Sequence, residues 1–229
     1  MRGERFRASV TYGLRCMAFK RFHHLVMLAF AGLFLSLAAA SAEPYRIVGF
    51  GDSLMAGYQL EAGQSFPEKL EAALKARGHD VVIANAGVSG DTSSGGLSRL
   101  DWSIPDETDL VILELGANDM LRGIAPQVTE KNLTTMIEKL RERGTKIVLV
   151  GMVAAPNLGA DYADEFNSIY PRLAEIYDLP FYPFFLDGVA AERSLLLEDG
   201  MHPNPAGVDL MVERFVPIIE AVLPAGNGG

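Results

Sequence analysis

Apolar residues along this chain fall into short continuous runs that alternate with stretches of helical spacing. Four of the runs are mainly aliphatic and end next to a turn-forming residue, and they predict buried strands at Arg46–Phe50, Val81–Ala84, Leu110–Leu115 and Ile147–Val150. A fifth run, Leu179–Phe184, is broken by proline and predicts a poorer strand. Continuous aliphatic runs of this length are typical of strands buried on both faces, as in a parallel sheet.

Helical periodicity fills the intervals between the strands. The predicted helices begin at a capping box, Ser65–Glu68, continue through Leu133–Leu140 and Tyr162–Ile176, and finish with a helix opened by Asn204-Pro205. Pro171 is expected to kink or split the third helix, and Pro217 to disturb the last turns of the fourth. The segment Asp91–Asp106 shows no clear period and is expected to be irregular.

Strands that alternate with helices predict an α/β protein. We expect a three-layer α/β/α sandwich, with five parallel strands in the flavodoxin-like order 2-1-3-4-5 and helices on both faces. In such a sheet the carboxyl ends of all the strands lie at one edge, so the loops that follow the strands converge there.

The first 42 residues have the pattern of a secretory signal peptide. Six basic residues and one acid occupy residues 1–24, the run Leu25–Ala40 is almost wholly apolar, and Ala40-Ser41-Ala42 supplies a cleavage pattern of small residues. A membrane anchor is the alternative, but the 16-residue run is shorter than the roughly 20 residues that a span needs. Translation could start at Met1 or Met17, since residues 17–42 form a complete signal by themselves.

We therefore expect an exported protein, periplasmic or released to the medium, whose mature part is a single domain over residues 43–229 without a stable membrane span. Without the predicted signal peptide, 14 Lys and Arg remain against 28 Asp and Glu. Such an acidic surface argues against nucleic acid and anionic membranes as partners. The one cysteine, Cys16, lies in the signal segment, so the mature domain has no disulfide, thiol nucleophile or cysteine metal site.

The mature domain has no complete cofactor or metal motif. Gly49-Phe50-Gly51 follows a strand, but residue 54 is leucine, so the dinucleotide fingerprint is incomplete. The chain has no glycine-rich phosphate loop ending in Gly-Lys-Ser or Gly-Lys-Thr, and no histidine pair spaced for zinc. We expect neither a cofactor nor a metal.

Polar residues suited to acyl transfer follow the predicted strands. Ser53 follows the first strand, Gly90 the second, Asn118 the third, and Asp199 with His202 come after the fifth. Because the strand ends share one edge, these residues are expected to meet. Taken alone, a loop histidine is the alternative for His202, a turn glycine for Gly90 and a strand-ending cap for Asn118. Their convergence is therefore a stronger signal than any one of them.

Each of these residues has a predicted role in nucleophilic catalysis. Ser53 is the expected nucleophile, His202 is its base, and Asp199, three residues before the histidine, orients the ring. His202 is the only one of the four histidines that is placed for this role. The backbone amides of Ser53 and Gly90 and the side-chain amide of Asn118 are the expected donors to an oxyanion.

Two acids beside these residues are expected to be structural. Asp52 precedes Ser53 and is expected to anchor the turn through backbone amides. Asp119 follows Asn118 and is expected to fix the loop that presents the asparagine. Neither is expected to take part in the chemistry.

The motifs together resemble those of a known family. Four blocks in order resemble the SGNH (GDSL) hydrolases: Gly51-Asp52-Ser53-Leu54, Gly90, Gly116-Ala117-Asn118-Asp119 and Asp199-Gly200-Met201-His202-Pro203. Within that family the match is closest to the secreted bacterial thioesterase, lysophospholipase and arylesterase group, and it covers nearly all of residues 45–222. The resemblance implies a triad of Ser53, His202 and Asp199, an oxyanion hole, and no metal or cofactor. It also implies small-molecule substrates: aryl esters, acyl thioesters and lysophospholipids.

Apolar residues in the same loops are candidates for an acyl-binding groove. The expected lining residues are Met120, Leu121, Ile124, Pro126, Pro156, Leu158, Phe184, Phe185 and Leu186. An ordinary core position is the alternative for several of them, in particular for Phe184 and Leu186. Two other functions remain open from the sequence. One is a carbohydrate O-acetylesterase on the same scaffold, and the other is a non-catalytic periplasmic binding module.

Overall fold

A five-stranded parallel sheet forms the centre of the domain that the structure describes. The computed structural model describes residues 43–224, so the predicted signal peptide lies outside the described residues. The strands are Tyr45–Gly51 (β1), Val81–Gly87 (β2), Leu110–Glu114 (β3), Lys146–Val150 (β4) and Phe181–Tyr182 (β5). Their order is β2-β1-β3-β4-β5, and every pairing is parallel. The predicted fold class and strand order are confirmed.

Helices flank this sheet in two groups. The helices are Ser53–Ala56 (α1), Phe66–Ala76 (α2), Ser93–Ser103 (α3), Ala117–Leu121 (α4), Pro126–Glu142 (α5), Ala160–Tyr177 (α6) and Pro205–Glu220 (α7). Helix α2 packs against α7, while α5 packs against both α3 and α6. Short 3₁₀ turns occur at Pro156–Leu158 and Arg193–Leu195. Among residues 43–224, no helix is long and apolar enough to cross a membrane.

The core explains why the aliphatic runs became strands. All five residues of β3 are buried, as both faces of a central parallel strand should be. On one face, Phe66 of α2 makes edge-to-face contacts with Phe185 and Phe215, with ring centroids 4.8 and 5.3 Å apart. The capping box is present at the start of α2, where Glu68 accepts a hydrogen bond from the Ser65 amide at 3.1 Å.

The segment predicted to be irregular contains helix α3. Its start is capped by Thr92, whose hydroxyl accepts from the Gly95 amide at 3.2 Å. Glycines at positions 95 and 96 hide the helical period in the sequence. Gly96 is required by packing, because a Cβ there would lie 2.3 Å from a methyl carbon of Leu115. The prediction failed because close helix–sheet packing selected a residue that has low helix propensity.

Several boundaries also differ from the predicted ones. Strand β2 runs three residues further than predicted, because Asn85–Gly87 pair with the last residues of β1. Strand β5 has only two residues. Helix α6 continues through Pro171 and is not split, and helix α7 continues through Pro217 as far as Glu220. Pro171 and Pro217 lie on exposed positions, as do the residues four positions before them, so water can hydrate the carbonyls that lose their helical donors.

The close contact between β1 and β3 yields a stability prediction. An alanine Cβ at Gly51 would lie 2.4 Å from Glu114 Oε2 and 2.7 Å from the Glu114 carbonyl oxygen. Gly51→Ala should therefore cost about 1–3 kcal/mol through overpacking and lower Tm by roughly 2–10 °C. The measurement is thermal unfolding of the mature domain.

Gly49→Ala in the same strand is the matched control. Its Cβ would first meet Met55 Sδ at 2.8 Å and Pro67 Cγ at 3.0 Å, and the flexible thioether can move away. We expect it to lower Tm by less than half as much as Gly51→Ala does. Equal decreases for the two variants would show that the contact with Glu114 is not what constrains Gly51.

Candidate active site

The turn after β1 presents Ser53 at the carboxyl edge of the sheet. Asp52 is fully buried and caps the short helix α1, with its Oδ1 accepting from the Leu54 amide at 3.0 Å. Its Oδ2 accepts from Asn118 Nδ2, also at 3.0 Å. Asp52 therefore anchors the turn, as expected, and it also orients a side chain from the loop after β3. That second contact was not anticipated from the sequence.

Ser53, His202 and Asp199 form a continuous hydrogen-bonded chain. The Ser53 hydroxyl oxygen lies 2.8 Å from His202 Nε2, and His202 Nδ1 lies 2.6 Å from Asp199 Oδ2. The His202 side chain is 17% exposed and that of Asp199 is 30% exposed. With Asp199 accepting at Nδ1, the free lone pair of the neutral ring at Nε2 faces the serine hydroxyl.

The loop from Leu197 to Pro203 holds the acid against the histidine. Besides the ring, Asp199 accepts from the backbone amides of Met201 at 2.9 Å and His202 at 3.0 Å through its Oδ1. Partial desolvation opposes the charge on Asp199, but these two amide bonds and the imidazole outweigh it and lower its pKa to about 2. Asp199 is therefore ionised throughout the neutral and mildly acidic range.

An aromatic residue supports the imidazole from the side. The Tyr58 ring lies 4.4 Å from the His202 ring, centroid to centroid, at an interplanar angle of 38°. The sequence contained no signal for this contact, because Tyr58 lies in a turn after α1 that has no repeating pattern. An aromatic face at this distance stabilises a cationic ring.

The three predicted oxyanion donors, Ser53, Gly90 and Asn118, line the same cavity. The backbone amides of Ser53 and Gly90 have no acceptor among the described residues. Asn118 uses one hydrogen of its side-chain amide on Asp52, which leaves the second for a ligand. Gly90 has a φ of +84°, and its carbonyl accepts from Arg122 Nη2 at 2.8 Å. Arg122 thus joins the loops after β2 and β3, a contact that the sequence did not predict.

Asp119 is buried and holds helix α4 in place. Its Oδ1 accepts from the Ser93 hydroxyl at 2.5 Å and from the Thr129 hydroxyl at 3.1 Å, and its Oδ2 accepts from the Ser93 amide at 2.7 Å. These bonds tie the helix that carries Asn118 to the starts of α3 and α5. The contacts match the structural role expected for this acid.

A largely apolar cavity of about 740 Å³ opens beside these groups. Of the predicted lining residues, the structure places Met120, Leu121, Pro156, Phe184 and Leu186 on its wall. The remaining wall is formed mainly by small and apolar residues: Tyr58, Met152, Val153, Ala154, Ala155, Ala190, Ala191, Leu196 and Met201. Residues 152–155 directly follow β4, so the rule that strand ends share one edge could have found them.

Four of the predicted lining residues lie elsewhere. Ile124 turns its carbonyl to the Tyr162 hydroxyl, 2.9 Å away, and Leu158 packs against the core. Pro126 is buried in the first turn of α5, and Phe185 is fully buried against the ring of Phe66. Spacing along the loops does not distinguish these residues from wall residues, because each lies within a few positions of one.

The fold and this cluster define a hydrolase of the SGNH type. Residues 50–210 match the model of the GDSL-like lipase/acylhydrolase family, and the chain belongs to that family. The prediction of the family is thereby confirmed.

Three relatives illustrate the similarity. An arylesterase of Vibrio mimicus is 42% identical over 174 residues, covering 76% of this chain and 87% of that protein. The thioesterase 1/protease 1/lysophospholipase L1 of Escherichia coli K12 is 34% identical over 190 residues, covering 81% and 89% respectively. The crystal structure of AlinE4, an SGNH-hydrolase family esterase, superposes with a TM-score of 0.67 at 46% identity, covering 81% of this chain and all of that one.

The double role of Asp52 is testable by an isosteric change. An asparagine side chain at this position would offer one acceptor oxygen where two amide donors now converge, and its NH₂ would oppose that of Asn118. Asp52→Asn should lower kcat for p-nitrophenyl butyrate by about tenfold or more, with little change in KM, because Asn118, the predicted oxyanion donor, would lose the acceptor that orients it.

The control for this variant is Asp109→Asn. Asp109 also accepts a backbone amide, that of Arg46, but at the opposite end of β1. This change should leave kcat unaltered. Wild-type turnover in Asp52→Asn would contradict the role that we assign to its side chain.

Proposed function

We propose that the protein is a serine esterase that hydrolyses carboxylic esters and thioesters through an acyl-enzyme on Ser53. The observation that carries the proposal is the hydrogen-bonded chain from Ser53 through His202 to Asp199 at the mouth of an apolar cavity. Family membership supports the hydrolase class. Relatives named arylesterase and thioesterase 1/protease 1/lysophospholipase L1 support ester and thioester substrates.

In the first step, Ser53 attacks the acyl carbon. His202 Nε2, 2.8 Å from the hydroxyl, removes the proton as the new C–O bond forms. The ionised Asp199 stabilises the imidazolium that results and keeps the ring in the productive tautomer. The tetrahedral intermediate carries its negative charge on the former carbonyl oxygen.

Three donors are available to that oxygen. They are the amides of Ser53 and Gly90 and the remaining side-chain hydrogen of Asn118. Each such donor typically contributes about 10²–10³ to the rate, because it is preorganised for charge that develops only in the transition state. Asp52 and Asp119 fix the position of Asn118 from two sides.

In the second step, water replaces the leaving group. Protonated His202 gives its proton to the departing alcohol or thiol, and the acyl group stays on Ser53. The same imidazole then removes a proton from water, which attacks the acyl-enzyme and releases the carboxylic acid. His202 returns this proton to the Ser53 oxygen as the bond from Ser53 to the acyl carbon breaks, which restores Ser53 and the neutral imidazole.

The surroundings of the site suit an apolar acyl group. The cavity wall consists mostly of aliphatic, alanine and methionine side chains. We also propose that the signal sequence predicted in residues 1–42 exports the domain to the periplasm, so its natural substrates are esters outside the cytoplasm. Neither alternative function is favoured, because the cavity is far larger than an acetyl group and the relatives are named for ester and thioester hydrolysis.

Removal of the Ser53 hydroxyl tests the proposal most directly. Ser53→Ala should abolish hydrolysis of p-nitrophenyl esters, leaving no more than the roughly 10³–10⁴-fold catalysis over water that binding and the oxyanion donors can supply. A fluorophosphonate should label the wild-type protein at Ser53, as located by peptide mass spectrometry, and should not label the variant.

Ser98→Ala is the matched control, since Ser98 is a hydroxyl on the exposed side of α3 that bonds only to the Gly95 carbonyl. It should keep full turnover and full labelling. Retained turnover in Ser53→Ala, or labelling of a different serine, would refute the assignment of the nucleophile.

The size of the cavity predicts how rate depends on acyl length. Each additional buried methylene contributes at most about 0.8 kcal/mol, or roughly a fourfold gain in kcat/KM. We expect kcat/KM for p-nitrophenyl esters to rise from acetate through butyrate to longer chains until the cavity is filled. A maximum at acetate would exclude the cavity as an acyl site and would favour the O-acetylesterase alternative.

A further inference from the structure

A buried acid that the mechanism does not use lies directly beneath the nucleophile turn. Glu114 is the last residue of β3 and is fully buried. Its Oε2 accepts from the Asp52 amide at 3.2 Å, and its Oε1 has no hydrogen-bond partner among residues 43–224. None of the ion pairs among the described residues includes it. A carboxylate so placed would be an unpaired buried charge.

The neighbouring backbone leaves space for this carboxyl group. Gly51, at the end of β1, has no side chain where it lies beside Glu114. A Cβ at this position would lie 2.4 Å from Glu114 Oε2. The glycine of the Gly51-Asp52-Ser53 turn therefore brings the acid within hydrogen-bond distance of the Asp52 amide. The amide that donates to Glu114 belongs to the Gly51–Asp52 peptide group, which comes just before Ser53.

Two buried acids thus lie side by side, and only one can carry a charge at moderate cost. Asp52 accepts two amide donors through its carboxylate, whereas Glu114 accepts one. The negative charge is therefore favoured on Asp52. Burial, and then the charge of Asp52, raise the pKa of Glu114 well above its usual range, while burial raises the pKa of Asp52 to about 6.

Charged and titratable groups on the other packed elements do not neutralise Glu114. Arg99 of α3 donates to the Gly51 carbonyl at 2.9 Å but is paired with Asp91 at 2.5 Å. Tyr170 of α6 donates to the Leu115 carbonyl, and Asp119 of α4 bonds to Ser93.

Each of these groups has its own partner. His202 lowers the pKa of Asp52, which further favours the charge on the aspartate.

We propose that Glu114 is a positioning residue for the oxyanion donor Asn118, acting through Asp52 as an uncharged carboxyl group. As an acceptor for the Asp52 amide it fixes the backbone of Asp52, and with it the carboxylate to which Asn118 donates. As a neutral group it allows the Asp52 carboxylate to keep its charge and its hold on Asn118. The inference rests on the proposed function, because it requires Asn118 to act in the transition state.

Two substitutions of similar length separate these roles. Glu114→Gln keeps a neutral acceptor for the Asp52 amide, whereas Glu114→Met removes it and leaves that amide unpaired. With p-nitrophenyl butyrate at pH 8, we expect Glu114→Gln to retain kcat within about threefold and Glu114→Met to lose about tenfold or more, with KM changed little in both. A loss in Glu114→Gln equal to that in Glu114→Met would show that a charge is needed and would overturn the proposal.

A double-mutant cycle with Asn118→Ala tests whether Glu114 affects kcat through Asn118. Asn118→Ala should itself reduce kcat by about 10². If Glu114 acts through Asn118, the double variant Glu114→Met/Asn118→Ala should be no slower than Asn118→Ala alone, because the group being positioned is gone. Losses that multiply would overturn the proposal and leave the role of Asn118 intact. Full activity in Asn118→Ala would instead overturn the proposed role of Asn118.

The uncharged state has its own readout, which does not require Glu114→Met to fold. Because the folded domain holds this proton to higher pH than the unfolded chain, the stability that Glu114 contributes is complete below its unfolded pKa. It declines as pH rises toward its folded pKa. The Tm of Glu114→Gln minus the Tm of the wild type should therefore become more positive as pH rises from 5 to 9. A constant difference would overturn the proposal.

Infrared spectroscopy measures the same proton directly. At pH 8 Asp52 is ionised, so a carboxylic acid C=O band in the wild type that is absent from Glu114→Gln would report the protonated Glu114. We expect that band. Identical spectra for the two proteins in this region would contradict an uncharged Glu114.

Discussion

The hydrogen bond between Ser53 and His202 joins residues that are 149 positions apart in the chain. Closing so long a loop costs entropy, and one hydrogen bond of about 1 kcal/mol cannot offset it. Other interactions in the fold must therefore bring the two residues together. Parallel pairing places the end of β1 beside those of β2 and β3, and Asn204 caps α7 just after the histidine. The two side chains then meet at little additional cost.

Three buried acids lie at the same edge of the sheet, and their burial lowers the stability of the fold. Asp52, Glu114 and Asp119 are all fully buried, and only backbone amides, hydroxyls and an asparagine bond to them. Burying a carboxyl group without a cation is costly, and the raised pKa values of Asp52 and Glu114 express that cost as a free energy. The compensation is rigidity. Each acid fixes a turn or a side chain beside Ser53, where a displacement of about 1 Å can cost 10²-fold in rate.

Sequence reasoning found the parts of the site that follow from simple topology. Ser53, Asn118 and His202 could be placed because each follows a strand, and parallel strands end at one edge. It did not find α3, where packing against Leu115 demanded a glycine that obscures the helical period.

Glu114 was also missed, although a signal was present, since it is the one charged residue in an otherwise aliphatic run. Spacing alone could not separate Leu121, which lines the cavity, from Ile124, which does not. That difference depends on the direction that the chain takes at the end of α4, which residue spacing does not specify.

Under the proposed function, the reacting groups and the acyl-binding wall come from different segments of the chain. The reacting groups come from the turns after β1, β2 and β3 and from the 199–203 loop, whereas residues 152–156 and 184–196 supply much of the cavity wall. Met120 connects the two parts, because its sulfur accepts from the Ala155 amide at 3.1 Å. The wall can therefore change in size through substitutions after β4 that leave the positions of Ser53 and Asn118 unaltered. Under the proposed function, this separation would let the acyl length that the cavity accepts change while the arrangement of Ser53, His202 and Asn118 stays the same.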